Sequence, residues 1–190
     1  MELPLQNLNK AAATNGLIIG ILAAILGIVT YYVAPAMMGN MWFGIGNMLF
    51  LLLVYIFFTI DLRKKIGGYW SFKQALKGIF LMALIAGLVL SVTNYVFYKF
   101  IEPNAFEKIS VYVEEGMTKT LEGMGMDSDQ IETTVEEQVN TMRKQYDPSP
   151  MDLLQNLGVA ILIEFIMSLI FAAIFKKEPP IFAPVEDDVD

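Results

Sequence analysis

One carboxylate stands inside an apolar run: Glu164, in AILIEFIMSLIFAAIF, residues 160 to 175. An acid among hydrocarbon side chains can do two kinds of chemistry. It can carry a proton or cation along a membrane path. Or it can stay neutral and donate a hydrogen bond that ties two helices together. A relay needs a second acid, a His or a base beside it. The chain has no His, and no Lys or Arg lies at that depth. The polar residues that could share a site with Glu164 are Ser168, one helical turn on, and Asn47 and Asn94 in other apolar blocks. Interhelical glue is therefore the simpler reading, and a coupled transport site the sharper one.

Other chemistry is narrowed by composition. With neither Cys nor His, thiol catalysis, disulfides and Cys/His zinc sites are excluded. Met117, Met124 and Met126 are soft-metal ligand types, but Met117 and Met124 also fall on an apolar stripe, where Met is ordinary filling. DSDQIE, residues 127 to 132, lacks the glycine and the spacing of a calcium loop. Phosphate-loop, nucleophile-elbow, HExxH and dinucleotide fingerprints are absent. No enzyme activity and no cofactor are expected.

The elements that hold these residues follow from charge spacing. The chain is 55% apolar and only 17% charged, against ~25% charged in a soluble domain. Charges are missing in blocks. Residues 11–34, 42–60 and 78–98 have none, and 153–175 has only Glu164. Each block approaches the ~20 residues that cross a ~30 Å hydrocarbon layer. The expected fold is an all-α membrane protein with spans at about 11–34, 41–60, 75–98 and 153–175. The first block is too long for a signal-peptide core, and its leading segment balances Lys10 against Glu2. A central acid costs about 2.5–3.5 kcal/mol on insertion, and each Leu, Ile, Val or Phe returns about 0.3–0.6. The last span therefore inserts in spite of Glu164, which sits about 16 Å deep if the span begins at Leu153.

Sidedness comes from the bases. Lys10, Arg63, Lys64, Lys65, Lys73, Lys77, Lys176 and Lys177 share one side, eight of the 13 Lys and Arg. By the positive-inside rule that side is cytoplasmic. Both termini are then inside, and residues 99–152, with twelve acids and five bases, lie outside. An acidic outer face disfavours nucleic acid as a partner.

The connections are patterned too. PAMMGN is short, so the first two spans form an antiparallel hairpin. Trp42 is expected at the outer interface, and Tyr69 and Trp70 at the inner one, as aromatic anchors beside the headgroups. SFKQ, Ser71 to Gln74, reads as a capping box opening the third helix. Two amphipathic helices follow: Phe106, Ile109, Val113, Met117, Leu121 and Met124 form one stripe, and Ile131, Val135, Val139, Met142 and Tyr146 another. They are expected to pair as an outer helical hairpin over 103–148. Asp129 is the expected cap of the second helix, and Pro148 and Pro150 its end. Residues 179–190 read as a solvated acidic tail after a single domain, 1–178. VTYYV and VTNYV, Val29–Val33 and Val92–Val96, echo each other at the ends of the first and third spans. In such apolar sequence chance explains the echo better than duplication.

Small residues mark the packing faces. The last span carries Asn156, Ala160, Glu164, Ser168 and Ala172 on one stripe. The first offers Gly16, Gly20, Ala24 and Gly27, and the third Ala83, Gly87 and Ser91. Such faces pack against helices rather than lipid. Spans one, three and four are expected to form the tight core, with the bulky second span toward lipid.

The stretch GGYWSFKQALK, Gly67 to Lys77, followed by YVFYKFIEP, Tyr95 to Pro103, resembles a family of uncharacterised bacterial membrane proteins typical of Bacteroidetes. That family is catalogued only as a domain of unknown function. The Glu/Met/Gln-rich segment returning through Pro into a span that ends in Lys-Lys fits it as well. The resemblance implies a four-span inner-membrane protein; it implies no activity and transfers no site residue. The expected role is a non-enzymatic interaction or assembly module, with the lipid bilayer and a second copy or another membrane protein as partners. The alternative is a small proton- or ion-coupled transporter or channel using Glu164.

Overall fold

A computed structural model describes residues 5–146 and 148–179. The elements are α1 (Leu5–Val33), α2 (Met41–Lys65), α3 (Phe72–Val96), α4 (Ala105–Gly123), α5 (Ser128–Tyr146) and α6 (Pro150–Phe175). A 3-10 turn, Pro35–Gly39, joins α1 to α2, and a π turn, Phe97–Ile101, extends α3. No strand occurs among the described residues. Four helices, Asn7–Val33, Met41–Lys65, Phe72–Ile101 and Pro150–Phe175, are long and apolar enough to cross a bilayer. The chain is a multi-pass membrane protein. Of the expected acidic tail, all but Pro179 lies outside the described residues.

Local chemistry sets the boundaries. Ser71 and Gln74 form the expected capping box. A second capping box, Ser149 with Asp152, opens α6. Pro150 does not close α5; it is the first residue of α6, where a missing N–H costs nothing. The cap of α5 is Asp127 rather than Asp129: its Oδ1 accepts from Gln130 N at 3.0 Å. Gly125, with φ of 79°, reverses the chain just before it.

The bundle centres on α3. α1 runs parallel to it, with the backbones in direct contact. A Cβ on Gly16 would strike the Met82 carbonyl oxygen, and one on Gly20 would lie 2.8 Å from that of Ala86 and 2.7 Å from Val89 Cβ. This is the small-xxx-small approach that tight membrane helix pairs use. Gly27, further along the expected stripe, meets nothing within 4 Å. α6 packs on the other side of α3 and makes little contact with α1. The expected three-way core is therefore two helices flanking a third. α2 is the most open span, as its bulk predicts.

At the end bearing the α2–α3 loop, polar groups cross-link the helices. Asn15, fully buried, donates through Nδ2 to Asp61 Oδ2 at 2.9 Å and to the Phe58 carbonyl at 3.1 Å. Lys65 Nζ donates to Asn15 Oδ1 at 2.9 Å and pairs with Asp61 at 2.6 Å. Trp70 departs from its expected role as a headgroup anchor. It is 1% exposed, and its indole N–H donates to the Phe175 carbonyl at 2.7 Å. Its backbone exchanges hydrogen bonds of 2.8 and 3.2 Å with Lys177. A helix end leaves its last carbonyls unpaired, and a buried indole needs an acceptor; each satisfies the other. Tyr69, 36% exposed with the Lys177 ammonium over its ring, stays at the surface.

At the opposite end α4 and α5 pair through their apolar stripes and dock on the bundle. Tyr31, Phe97, Ala105, Ile109, Val113 and Met142 form a second buried core there. Gly39 of the 3-10 turn and Gly116 of α4 lie backbone to backbone, so a Cβ on either would collide with the other chain segment.

The α1–α3 contact predicts a graded response to bulk. Gly20→Leu should lose about 1–3 kcal/mol from overpacking, whereas Gly27→Leu should change stability little. Reversible unfolding in mixed detergent micelles would measure both, and equal losses would contradict the geometry.

Candidate functional site

The residues of possible chemical interest are divided between the membrane interior and the hairpin base. In the interior, α6 changes character at Glu164. Residues 153–163 are exposed on every side, including Asn156 and Ala160 of the expected packing stripe. From Glu164 onward the helix meets α3, with Ser168 and Ala172 both fully buried. Glu164 itself is half-buried. Its carboxyl lies over Gly87, and a Cβ there would collide with Oε1. The glycine is thus a notch that the carboxyl fills.

The expected partners are only partly brought together. Ser168 Oγ donates to the backbone carbonyl of Glu164 at 2.7 Å, not to its carboxyl. Asn94 is exposed about 10 Å further along α3, counting seven residues from Gly87 at ~1.5 Å each. Asn47 is half-buried on α2, and its Oδ1 is shielded without a donor. The residue that does approach is Tyr55. Its hydroxyl donates to the Ile79 carbonyl at 3.0 Å, its ring meets Phe171 edge-on at 5.0 Å, and it lies near Ser168 and Glu164. Taking α2 as a lipid-facing span hid it, although a lone Tyr in an aliphatic run was the available signal. Among the described residues the Glu164 carboxyl has no ion-pair or hydrogen-bond partner.

The second cluster locks the hairpin. Glu102, just past α3, accepts from Tyr31 Oη at 2.8 Å, Tyr32 Oη at 3.0 Å and Lys108 Nζ at 2.7 Å. The Lys108 ammonium, followed by the two phenols, holds the Glu102 carboxyl down at about 2, well under its ordinary 4.5. The same contact raises Lys108. Tyr146, at the end of α5, stacks on Tyr98 at 4.3 Å, and burial pushes its hydroxyl up. Arg143 sits 4.6 Å over the Phe106 ring. Trp42, expected as an interfacial anchor, is 77% exposed just after the docked turn.

A family model described as "Protein of unknown function (DUF4199)" matches residues 14–177. The chain belongs to that family. The match takes in most of the first span, the other three spans, the hairpin, Glu164 and the Glu102 cluster. Family membership agrees with the likeness carried by Gly67 to Pro103 and assigns no chemistry to any of these residues. No curated protein matches the chain, and no solved structure does.

Two outcomes follow from this geometry. Gly87→Ala puts a methyl against the Glu164 carboxyl, the flexible end of a side chain that can swing aside, so after the helix-propensity gain of Ala it should cost less than about 1 kcal/mol. Adding Glu164→Ala should recover part of that loss, while Glu164→Gln alone should move stability by only about 0.6 kcal/mol. Strict additivity in a double-mutant cycle would show that the two residues do not touch. The Glu102 latch depends on pH. A depressed carboxyl contributes above its unfolded value and loses that contribution as pH falls from 4.5 toward about 2. Hydrogen exchange in α4, corrected for intrinsic rates, should be steady down to about pH 4.5 and accelerate below it. In Glu102→Gln the protection should be lower at neutral pH and lack that acid step.

Proposed function

We propose that this protein is a non-enzymatic docking module of the bacterial cytoplasmic membrane. Both termini face the cytoplasm, and residues 99–152 stand outside as an acidic helical hairpin. The distribution of bases supports this sidedness: Arg63, Lys64, Lys65, Lys176 and Lys177 gather at the bundle end away from the hairpin.

One observation carries the functional reading. The hairpin is fixed to the bundle by the Gly39–Gly116 contact and the Glu102 latch, yet its seam holds a groove of about 700 Å³. Ile131, Val135 and Val139 of α5 line the groove, at four-residue spacing. Glu114 and Glu122 rim it on α4, and Glu132 and Glu136 on α5. None of the four makes an ion pair among the described residues. The carboxylates do not cluster as a metal site; they form two rows beside an apolar floor. That pattern suits a basic amphipathic segment of a partner protein. A role in transport through Glu164 draws less support, because its carboxyl lies in the Gly87 notch.

Protease shaving of intact spheroplasts should cleave within residues 105–145 and spare the termini. Crosslinking and co-purification should recover a partner whose yield falls several-fold in Glu132→Gln/Glu136→Gln and at high salt. A protein that stays monomeric and uncrosslinked under every condition would defeat the docking role.

A further inference from the structure

A second cavity, of about 520 Å³, lies between the hairpin and the turn before α2. Five of the chain's 12 methionines line it: Met38, Met41, Met117, Met124 and Met142. They arrive from the 3-10 turn, the start of α2, α4 and α5. Met38, Met117 and Met142 also belong to the packed cluster behind the cavity. Ordinary gap filling would spread methionine through both cores, but Met82 is the only one in the inner core cluster. Met126, grouped with Met117 and Met124 by sequence, faces the other groove instead.

The chemistry of this lining is selective. No carboxylate borders the cavity among the described residues, so that lining offers calcium and magnesium none of the charged oxygens they favour. Thioethers are soft donors that favour copper(I). They do not close into disulfides, so in a chain without Cys they offer a site that an oxidising compartment cannot cross-link. We propose that this cavity binds copper(I) through the thioethers of Met38, Met117 and Met142, with Met41 and Met124 at its mouth. The ion is held as copper(I) with no change of oxidation state. The site goes beyond the docking role and does not depend on it.

The test uses the full-length protein in detergent. Anaerobic copper(I) is titrated against a chromogenic copper(I) chelator, with silver(I) calorimetry as an independent arm and zinc(II) as the borderline-ion control. The wild type should withhold about one equivalent from the chelator and bind silver(I) but not zinc(II). Leucine is close to methionine in volume, so Met117→Leu/Met142→Leu should keep the fold, checked by circular dichroism and gel filtration. That variant should bind copper(I) at least tenfold more weakly, and Met126→Leu should bind as the wild type does. If the wild type takes no copper(I), or the double variant retains full affinity, the site is refuted.

Discussion

The close approach of α1 to α3 is the contact on which the rest of the architecture hangs. Helix association in lipid gains no hydrophobic driving force, so surface fit and dispersion must supply it. Gly16 and Gly20 allow that fit by putting no side chain of α1 between its backbone and the Met82 and Ala86 carbonyls of α3. Because α1 and α3 then lie side by side and parallel, their hairpin-facing ends meet at Tyr31 and Phe97, whose rings touch edge-on at 5.3 Å. That aromatic pair is the floor on which α4 and α5 rest. A disturbance at Gly20 would therefore be felt at the hairpin, through the shared position of these ring-bearing helix ends.

The hairpin end repeats the device in a different setting. Gly39 and Gly116 bring a turn and a helix together with no side chain between them. The Glu102 cluster adds direction, because a carboxylate that accepts from two tyrosines on α1 and from Lys108 on α4 fixes the rotation of one helix about the other. Close approach and a charge-assisted network give different things: the first sets distance and the second sets angle. The outcome is a hairpin carried at a defined orientation on a membrane bundle.

Much of this was legible in the sequence where the signal was a period or a block. Three charge-free runs and one with a single acid marked the four apolar helices, and the 3–4 spacing from Phe106 and from Ile131 marked the two amphipathic ones. Ser71 and Gln74 gave the start of α3. Legibility failed where a residue's role depended on a partner distant in the chain. Trp70 looks like an interfacial anchor until the carbonyl of Phe175, 105 residues away, supplies an acceptor. Asp127 and Asp129 both suit a cap, and only the turn at Gly125 decides between them. The two paired stripes link Met142 to Met117, but Met38 carries no local pattern that links it to either. The family match spans residues 14–177 and leaves the chemistry open.

Glu164 shows how a costly residue can be accommodated without a catalytic reason. The apolar surplus of α6 already outweighs the insertion penalty of one acid. What remains is a question of shape, and Gly87 answers it by leaving a notch that the carboxyl occupies. The position of that notch matters. It falls where α6 stops being surrounded by lipid-accessible surface and begins to bury Ser168, Phe171 and Ala172. Toward its C-terminus, α6 is pinned again by Phe80 against Phe165, by Tyr55 against Phe171, and by Trp70 and Arg63 at its terminal carbonyl. Toward its N-terminus, residues 153–163 are exposed as far as the turn opened by the capping box at Ser149. Glu164 is thus the outermost contact of the packed half of α6. Its polarity marks the point where that helix leaves the bundle.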